Sequence, residues 1–238
     1  MNQQELNPDE LDALVGRAAR LLETLTALPQ GGTRPNFLRR RLGTEIECRG
    51  LATLRDLLGR AETRVRLWSA ACASGEEACS MAMAVSELTA SLPPPPRPHD
   101  WRILATDIAT AALAAAASGH YPESALGNLP ARLRDRYLRP LTRDGRAGWR
   151  VLPELRAHVD FQRFDLAQPH WPPIPGAPFD LIFLSNVLIY FDKPLQARVL
   201  EHLAPCLKAD GILLTSRSEG RLPLAAPWFK ARGDCAYT

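Results

Sequence analysis

The stretch FDLIFLSNVLIYFDKPLQARVL, residues Phe179–Leu200, contains the change of pattern that decides the fold. The apolar run Leu181–Leu184 has the composition of a buried strand, and it breaks at the small polar pair Ser185-Asn186. A second apolar run, Val187–Phe191, leads into a helical pattern. The apolar positions on one face of that helix are Leu195, Val199, Leu200 and Leu203. A buried strand that ends in small polar residues is typical of a ligand site, because ligands bind outside the carboxyl ends of the strands in open α/β sheets.

Two upstream stretches have the same design as the strand before Ser185. LWSAACASGEE spans Leu67–Glu77 and RILATDIA spans Arg102–Ala109, and each is an apolar run that ends in small or acidic residues. From Val65 onward, strand and helix patterns alternate, which predicts an α/β fold with a parallel sheet and helices on both faces. We expect the three polar tips to converge on one ligand at the carboxyl edge of that sheet.

The pattern divides the chain into an N-terminal part and a main domain. Residues 1–60 are predicted to be helical, with a helix start at Asn7-Pro8 and apolar residues at helical spacing after it. Residues 61–238 form the predicted α/β domain. Within it, residues from about 138 to 158 are predicted to form a small β-subdomain that contains a hairpin at Asp144-Gly145.

Composition and charge exclude several classes of function. The chain has 238 residues, 46% apolar residues and a formal net charge of +3, so no dense basic surface for nucleic acid is expected. The N-terminus lacks the regions of a signal peptide, and no apolar run is long enough for membrane insertion. The five cysteines form no CxxC pair and no zinc-ligand spacing, so we expect free thiols, no metal site and a cytoplasmic protein.

The loop between the first strand and its helix, Ser69–Glu77, consists of small residues that let a ligand approach the backbone closely. It has one glycine and ends in Glu76 and Glu77, so it matches neither the GxGxxG fingerprint of dinucleotide sites nor a phosphate-binding P-loop. Acids at a helix start suit a ligand that carries positive charge. Asp107 ends the second strand about thirty residues farther on, where it could bind a ribose, cap the next helix, or do both.

Three segments together resemble the CheR family of chemotaxis methyltransferases, which use S-adenosylmethionine (SAM). They are LWSAACASGEEACSMAM, RILATDIATAALAAAASGHYP and FDLIFLSNVLIYFDKPLQARVLEHLAPCLKADGILLTSRSE, and the resemblance extends from Val65 to the C-terminus. It implies a Rossmann-like SAM-dependent methyltransferase sheet with a small inserted β-subdomain. It also implies methyl transfer to glutamate side chains of a chemoreceptor-like protein. A carboxylate is ionised at neutral pH, so this reaction needs alignment of the reactants and no strong general base.

The resemblance also assigns roles to individual residues of this sequence. The implied cofactor-binding residues are Ala71, Gly75, Glu76, Glu77, Asp107, Ile108, Asp165, Leu166, Leu184, Ser185 and Asn186. Among them, Asp107 is expected to bind the adenosine ribose and Asp165-Leu166 to flank the adenine. Tyr190 is expected to face the methyl-transfer site, with an ordinary core aromatic as the alternative. Arg39 is the second implied catalytic residue.

The sequence departs from the family pattern near the methyl acceptor. Ser185 stands where the family has an arginine, and Pro35–Arg39 matches the family's T-x-F-F-R motif only in part. The family's G-H-S-E at the last strand is Ser216–Glu219 here, and Arg217 could restore the missing positive charge. Two alternatives therefore remain beside glutamate methylation. One is methylation of a different acceptor, and the other is SAM binding without catalysis in a signalling complex.

Overall fold

The computed structural model describes residues 64–91, 100–126, 129–143, 145–216, 228–230 and 236–238, and within them strands and helices alternate as the sequence predicts. The strands are β1 Arg64–Ala70, β2 Asp100–Asp107, β3 His120–Pro122, β4 Leu138–Arg143, β5 Arg146–Val151, β6 Val159–Arg163, β7 Phe179–Leu184, β8 Leu207–Thr215 and β9 Ala236–Tyr237. The helices are α1 Glu76–Ser91, α2 Thr110–Ser118, α3 Glu123–Leu126, α4 Ala131–Tyr137, α5 Pro153–Arg156 and α6 Lys193–Leu203.

The main sheet has the strand order β6-β2-β1-β7-β8-β9. β1 pairs in parallel with both β2 and β7, and β6 and β8 extend the parallel sheet on either side. β9 pairs antiparallel with β8. The predicted parallel sheet is therefore confirmed. The chain moves from β1 outward to β2 and β6 and then returns to the other side of β1 at β7. This reversal leaves a crevice at the carboxyl ends of β1 and β7, which is where open α/β sheets bind ligands.

Alternating side chains of the strands place apolar residues on both faces of this sheet. In β1, Val65 and Leu67 join a cluster that includes residues of α1 and α2, whereas Trp68 and Ala70 join a second cluster that includes residues of α6. None of these four side chains has solvent exposure. Because both faces are covered, the parallel strands are nearly continuous apolar runs, and polar residues occur mainly where each strand ends.

A separate three-stranded sheet has the order β3-β5-β4 and contains the predicted hairpin between β4 and β5. Its third strand, His120–Pro122, lies before the 138–158 range that the sequence predicts for the subdomain. A strand of three residues has no readable period, so the sequence gives no sign of it. Gly148 permits the close pairing, since a Cβ there would lie 2.6 Å from the Tyr121 carbonyl oxygen.

Glu87 of α1 ties helix α4, which leads into the three-stranded sheet, to helix α1, which packs on the main sheet. Tyr137 Oη donates to Glu87 Oε1 at 2.8 Å, and the guanidinium groups of Arg132 and Arg136 lie 2.6 and 2.8 Å from the same carboxylate. The Glu87 side chain is mostly buried, so these contacts are less screened than a surface ion pair.

Some of the sequence predictions concern residues that the structure does not describe. The helical region 1–60 and the boundary at residue 61 lie outside them, and the division into domains stays a proposal. Within the described part, no helix has both the length and the apolar character that a membrane crossing needs. Cys72, Cys79 and Cys206 are buried free thiols, as the sequence predicts for the cysteines.

Candidate functional site

The loop after β1 folds over the carboxyl end of β2. The backbone amides of Ala71 and Cys72 both donate to the Thr106 carbonyl oxygen at 2.8 Å. Ala71 and Ala73 have φ angles of 79° and 47°, a conformation that costs a residue with a side chain about 1–3 kcal/mol. Both alanines are partly exposed, and their small side chains leave the loop backbone accessible beside the crevice.

Asp107 links this loop to the end of β2. Its Oδ2 accepts a hydrogen bond from the Ala73 amide, and its Oδ1 accepts one from the Ala109 amide, both at 2.9 Å. The N-cap of α2 is Ala109, which makes no side-chain cap bond, so the interpretation of Asp107 as the helix cap is wrong. A carboxylate has about four acceptor positions, so Asp107 can still accept hydroxyl donors from a ligand.

The two glutamates at the start of α1 are held by two serines, Ser69 at the end of β1 and Ser74 in the loop after it. Ser69 Oγ donates to Glu77 Oε1 at 2.6 Å, and Ser74 Oγ donates to the Glu76 carboxylate at 2.8–2.9 Å. These bonds fix two negative charges at the edge of the crevice. The glutamates and Asp107 together suit a ligand that carries positive charge and hydroxyl groups.

The pKa of the Cys72 thiol is raised by burial and by the negative charge of this region. Burial, and after it the negative charges of Asp107 and Glu77, raise the pKa of Cys72 to about 12. A thiolate at this position is disfavoured by desolvation and by two neighbouring carboxylates. Cys72 is therefore a neutral packing residue and no candidate nucleophile.

Gly75 is required by the packing of two helices. Its φ is +89°, and a Cβ there would lie 2.7 Å from the Ala116 Cβ of α2. The sequence assigned Gly75 to the cofactor, and that assignment stays a prediction. The structure supplies a separate reason for a glycine, because only a residue without Cβ lets α2 approach the loop this closely.

Ile108 and Asp165-Leu166 lie at the ends of the adjacent strands β2 and β6. The Ile108 side chain is 54% exposed and offers an apolar surface at the rim of the site. Asp165 Oδ1 accepts a hydrogen bond from the Ala167 amide at 2.8 Å. Leu166 is buried in the core with Trp68, so mainly its backbone is available to a ligand.

Ser185 and Asn186 follow β7 on the opposite side of the crevice. Ser185 Oγ donates to Asn186 Oδ1 at 2.9 Å, and the Asn186 amide donates to Ser216 Oγ at 3.4 Å. Asn186 has a φ of 59°, so the chain turns sharply here. Leu184 has no exposed side chain, and only its backbone can contact a ligand.

Tyr190 ends a 3-10 turn, Leu188–Tyr190, that follows Asn186. Its side chain is 78% exposed, so the interpretation as a core aromatic is wrong. Leu188 is buried and anchors the turn in the core. The predicted role of Tyr190 at the methyl-transfer site stays a prediction, and the structure shows an exposed phenol in the segment that follows β7.

Comparison with known proteins identifies the family. The family model described as "CheR methyltransferase, SAM binding domain" matches residues 51–233. The chain belongs to this family. A Pseudomonas aeruginosa "Chemotaxis protein methyltransferase 2" is 39% identical over 155 residues, which are 65% of this chain and 53% of that protein. An Escherichia coli "Chemotaxis protein methyltransferase" is 36% identical over 184 residues, which are 77% of this chain and 62% of that protein.

The chain spans between half and two thirds of the length of these two relatives of the CheR family. Among solved structures, a TehB-like SAM-dependent methyltransferase from Corynebacterium glutamicum is similar with 15% identity and a TM-score of 0.37. That similarity covers 70% of this chain and 66% of the other.

The strand ends of this CheR-family chain fit SAM on chemical grounds. Asp107 has acceptor positions left for the two ribose hydroxyls. The carboxylates of Glu76 and Glu77 suit the ammonium and sulfonium charges. The exposed Ile108 offers an apolar surface for the adenine ring. Each of these contacts stays a prediction for the individual residue.

Three residues that shape the site were not predicted from the sequence, and one predicted residue lies outside the described part of the chain. Ser69 and Ser74 hold the glutamates, but a serine in a small-residue loop carries no signal of such a partner. The Gln196 side chain donates a hydrogen bond to the 3-10 turn. Its position one helical turn after the helix cap Asp192 is the sequence signal that could have indicated this contact. Arg39, the second predicted catalytic residue, lies outside the described residues.

Proposed function

We propose that the protein transfers the methyl group of SAM to a glutamate side chain of a chemoreceptor-like signalling protein and forms a methyl ester. The observation that carries the proposal is the position of Asp107. Its carboxylate lies at the end of β2, beside the point where the strand order reverses, and amides of Ala73 and Ala109 orient both oxygens at 2.9 Å. Membership in the CheR family supports this proposal.

The cofactor half of the proposed site consists of the ends of β1, β2 and β6. Asp107 binds the ribose, and the two glutamates of α1 face the methionine part of the cofactor. Asp165 and Leu166 flank the adenine through the backbone after β6. These groups are held by hydrogen bonds within the chain, so binding requires little further ordering of the protein.

The acceptor half of the proposed site lies after β7. SAM supplies a methyl group that is activated by its positively charged sulfur. An acceptor glutamate is already ionised at neutral pH, so the protein removes no proton and acts by alignment and by exclusion of water. The exposed Tyr190 hydroxyl donates to one acceptor oxygen and leaves the other directed at the methyl group.

The neutral side chain of Ser185 affects the charge on the acceptor side of the proposed site. Its hydroxyl donates to Asn186 Oδ1 at 2.9 Å, and the side chain brings no positive charge to the acceptor. In the proposed complex the acceptor carboxylate therefore meets the Tyr190 hydroxyl and the positive charge of the cofactor. The chemoreceptor-like acceptor is inferred from the relatives, which are named chemotaxis protein methyltransferases.

A methyl-transfer assay tests the proposal. The purified protein is incubated with methyl-labelled SAM and the cytoplasmic fragment of a chemoreceptor from the same genome. We expect label on glutamates that mild base releases as methanol, since methyl esters are base-labile. The Asp160→Ala variant is the control, because Asp160 is exposed on β6 outside the site.

Two results would contradict this assignment. Label found only on another acceptor would exclude the chemoreceptor. Binding of SAM or S-adenosylhomocysteine by calorimetry, with no transfer to any acceptor, would favour a binding protein in a signalling complex.

A further inference from the structure

We propose that Gln196 is a positioning residue for the transfer reaction, because its carboxamide clamps the 3-10 turn that presents Tyr190 to the methyl acceptor. Gln196 Nε2 donates to the Leu188 carbonyl oxygen at 2.9 Å and to the Phe191 carbonyl oxygen at 3.0 Å. One side chain thus joins both ends of the turn. The inference rests on the proposed function for its chemistry, whereas the clamp is a property of the chain itself.

Both polar atoms of the Gln196 carboxamide, Oε1 and Nε2, make hydrogen bonds. Lys193 Nζ donates to Gln196 Oε1 at 3.2 Å, which directs the amino group of the carboxamide at the turn. The Gln196 backbone amide donates to the Asp192 carbonyl oxygen at 2.9 Å, so the residue sits in the first turn of α6. The Asp192 carboxylate caps that helix through the Leu195 amide at 2.9 Å. The clamp therefore extends from a rigid helix end.

The turn needs an external tie because it is short and sharply bent. A 3-10 turn of three residues has poorer hydrogen-bond geometry than an α-helix. Its own bonds are Tyr190 N to Val187 O at 3.1 Å and Phe191 N to Leu188 O at 3.0 Å. The chain enters it through Asn186 in a left-handed conformation. Gln196 thus adds two hydrogen bonds to the turn's own two, and it makes them from a neighbouring helix.

The clamp directs two large side chains outward. Ile189 is 47% exposed and Tyr190 is 78% exposed, whereas Leu188 is 2% exposed. Because the Tyr190 side chain is largely exposed, the position of its hydroxyl depends mainly on how its backbone is held. Displacement of a reacting group by about 1 Å can lower a rate by roughly 100-fold, so a loose turn at this place affects transfer more than cofactor binding.

The test compares Gln196→Glu and Gln196→Met with the wild type. Glutamate keeps the volume but faces two carbonyl oxygens with a carboxylate, and methionine keeps the length but has no donor. We expect kcat for the receptor fragment to fall about tenfold in both, with the dissociation constant of S-adenosylhomocysteine unchanged within about twofold. The exposed Asp160, near the start of β6 and away from the site, provides the control variant Asp160→Asn, which should leave both quantities unchanged.

A double-mutant cycle with Tyr190→Phe separates positioning from general destabilisation. If Gln196 acts through Tyr190, then Gln196→Met should lower kcat by less than about twofold further in the Tyr190→Phe background. Independent losses that multiply would overturn the proposal. So would an equal loss of cofactor affinity in the single variants.

Amide hydrogen exchange supplies a readout that needs no turnover. The amides of Tyr190 and Phe191 should exchange faster in Gln196→Met than in the wild type, and those of β7 should not change. Unchanged exchange at the turn would refute the clamp even if the protein proves to be an active methyltransferase. Faster exchange in Gln196→Met, together with a wild type that transfers no methyl group, would instead refute the proposed function and leave the clamp established.

Discussion

Asp107 and Asp180 lie at opposite ends of the same parallel sheet, and each accepts two hydrogen bonds. Asp180, near the start of β7, is 2% exposed and accepts from the Arg66 amide at 2.8 Å and from Lys208 Nζ at 2.7 Å. Asp107, at the end of β2, is partly exposed and accepts from two backbone amides. The Asp180 carboxylate has a partly exposed ionic partner, Lys208, and the Asp107 carboxylate has only amide donors in the part of the chain that the structure describes.

The difference separates a stabilising carboxylate from one that is suited to binding. Asp180 joins β1, β7 and β8 through the two residues that it contacts, and Lys208 neutralises its charge. Asp107 has two backbone amides as its partners among the described residues, and it keeps part of its acceptor capacity at the edge where ligands bind. The amino ends of the strands therefore hold the sheet together, and the carboxyl ends are the candidate site.

The largest effect should follow from Asp180→Ala. Removing this buried carboxylate leaves the Arg66 amide without its acceptor and the one-third exposed Lys208 ammonium without its counter-ion, so the free energy of unfolding should fall by about 3 kcal/mol. Denaturant unfolding measures this loss. The affinity of the remaining folded protein for S-adenosylhomocysteine should not change.

A cycle with Lys208→Ala is the control for the Asp180 prediction. The double variant should be more stable than the sum of the two single losses implies, because it leaves no unpaired charge in the core. Additive losses would show that the two side chains act separately, and the contrast with Asp107 would then lose its electrostatic basis.

The sequence predicted the main sheet well because its signals are local. The strand before Ser185 and the strand before Asp107 are apolar runs with polar ends, and burial on both faces makes such runs continuous. The convergence of their ends follows from parallel pairing, and the strand order confirms it. Residue roles drawn from the family resemblance stay predictions.

The sequence could not reveal features that depend on distant contacts. Gly75 reads as a ligand-binding glycine, but its close neighbour is Ala116 of another helix. The strand His120–Pro122 exists because β5 pairs with it, and three residues show no period of their own. The exposure of Tyr190 depends on how the turn is anchored, so an apolar run that contains a tyrosine suggested a core aromatic equally well.

Gly75→Ala tests whether the binding edge also carries structural constraints. The left-handed conformation should cost about 1–2 kcal/mol, and the contact with Ala116 should add about 1–3 kcal/mol from overpacking. Gly145→Ala is a matched control, since Gly145 has a φ of +71° but nothing lies within 4 Å of the position that a Cβ would take there. Equal losses of unfolding free energy in the two variants would refute the packing role of Gly75.

Asp107→Ala should act on the ligand more than on the fold. Loss of a charged acceptor for the ribose hydroxyls should weaken S-adenosylhomocysteine binding by about 10- to 100-fold, which corresponds to about 1.5–3 kcal/mol. Calorimetry measures the affinity, and Asp160→Ala of β6 is the control. Unchanged affinity would show that Asp107 does not bind the cofactor. The functional difference between Asp107 and Asp180 would then be refuted.

The smallest effect concerns the Cys72 thiol, whose pKa depends in part on the carboxylates at the carboxyl edge of the sheet. Its pKa is raised from 9.0 to about 12 in the folded protein, first by burial and then by Asp107 and Glu77. Below about pH 9 the thiol is neutral in both states and its contribution to stability is fully present. As the pH rises from there toward about 12, the unfolded chain releases the proton and the folded chain keeps it, so the free energy of unfolding falls.

The loss that Cys72 causes should be about 1 kcal/mol near pH 10, one pH unit above the unfolded value. Denaturant unfolding at several pH values should therefore show a steeper alkaline loss in the wild type than in Cys72→Ala. In Asp107→Ala the loss should be reduced only in part, because burial remains the largest cause. Parallel curves for the wild type and Cys72→Ala would mean that the thiol ionises alike in both states. The carboxyl edge would then lack the negative potential that distinguishes Asp107 from the neutralised Asp180.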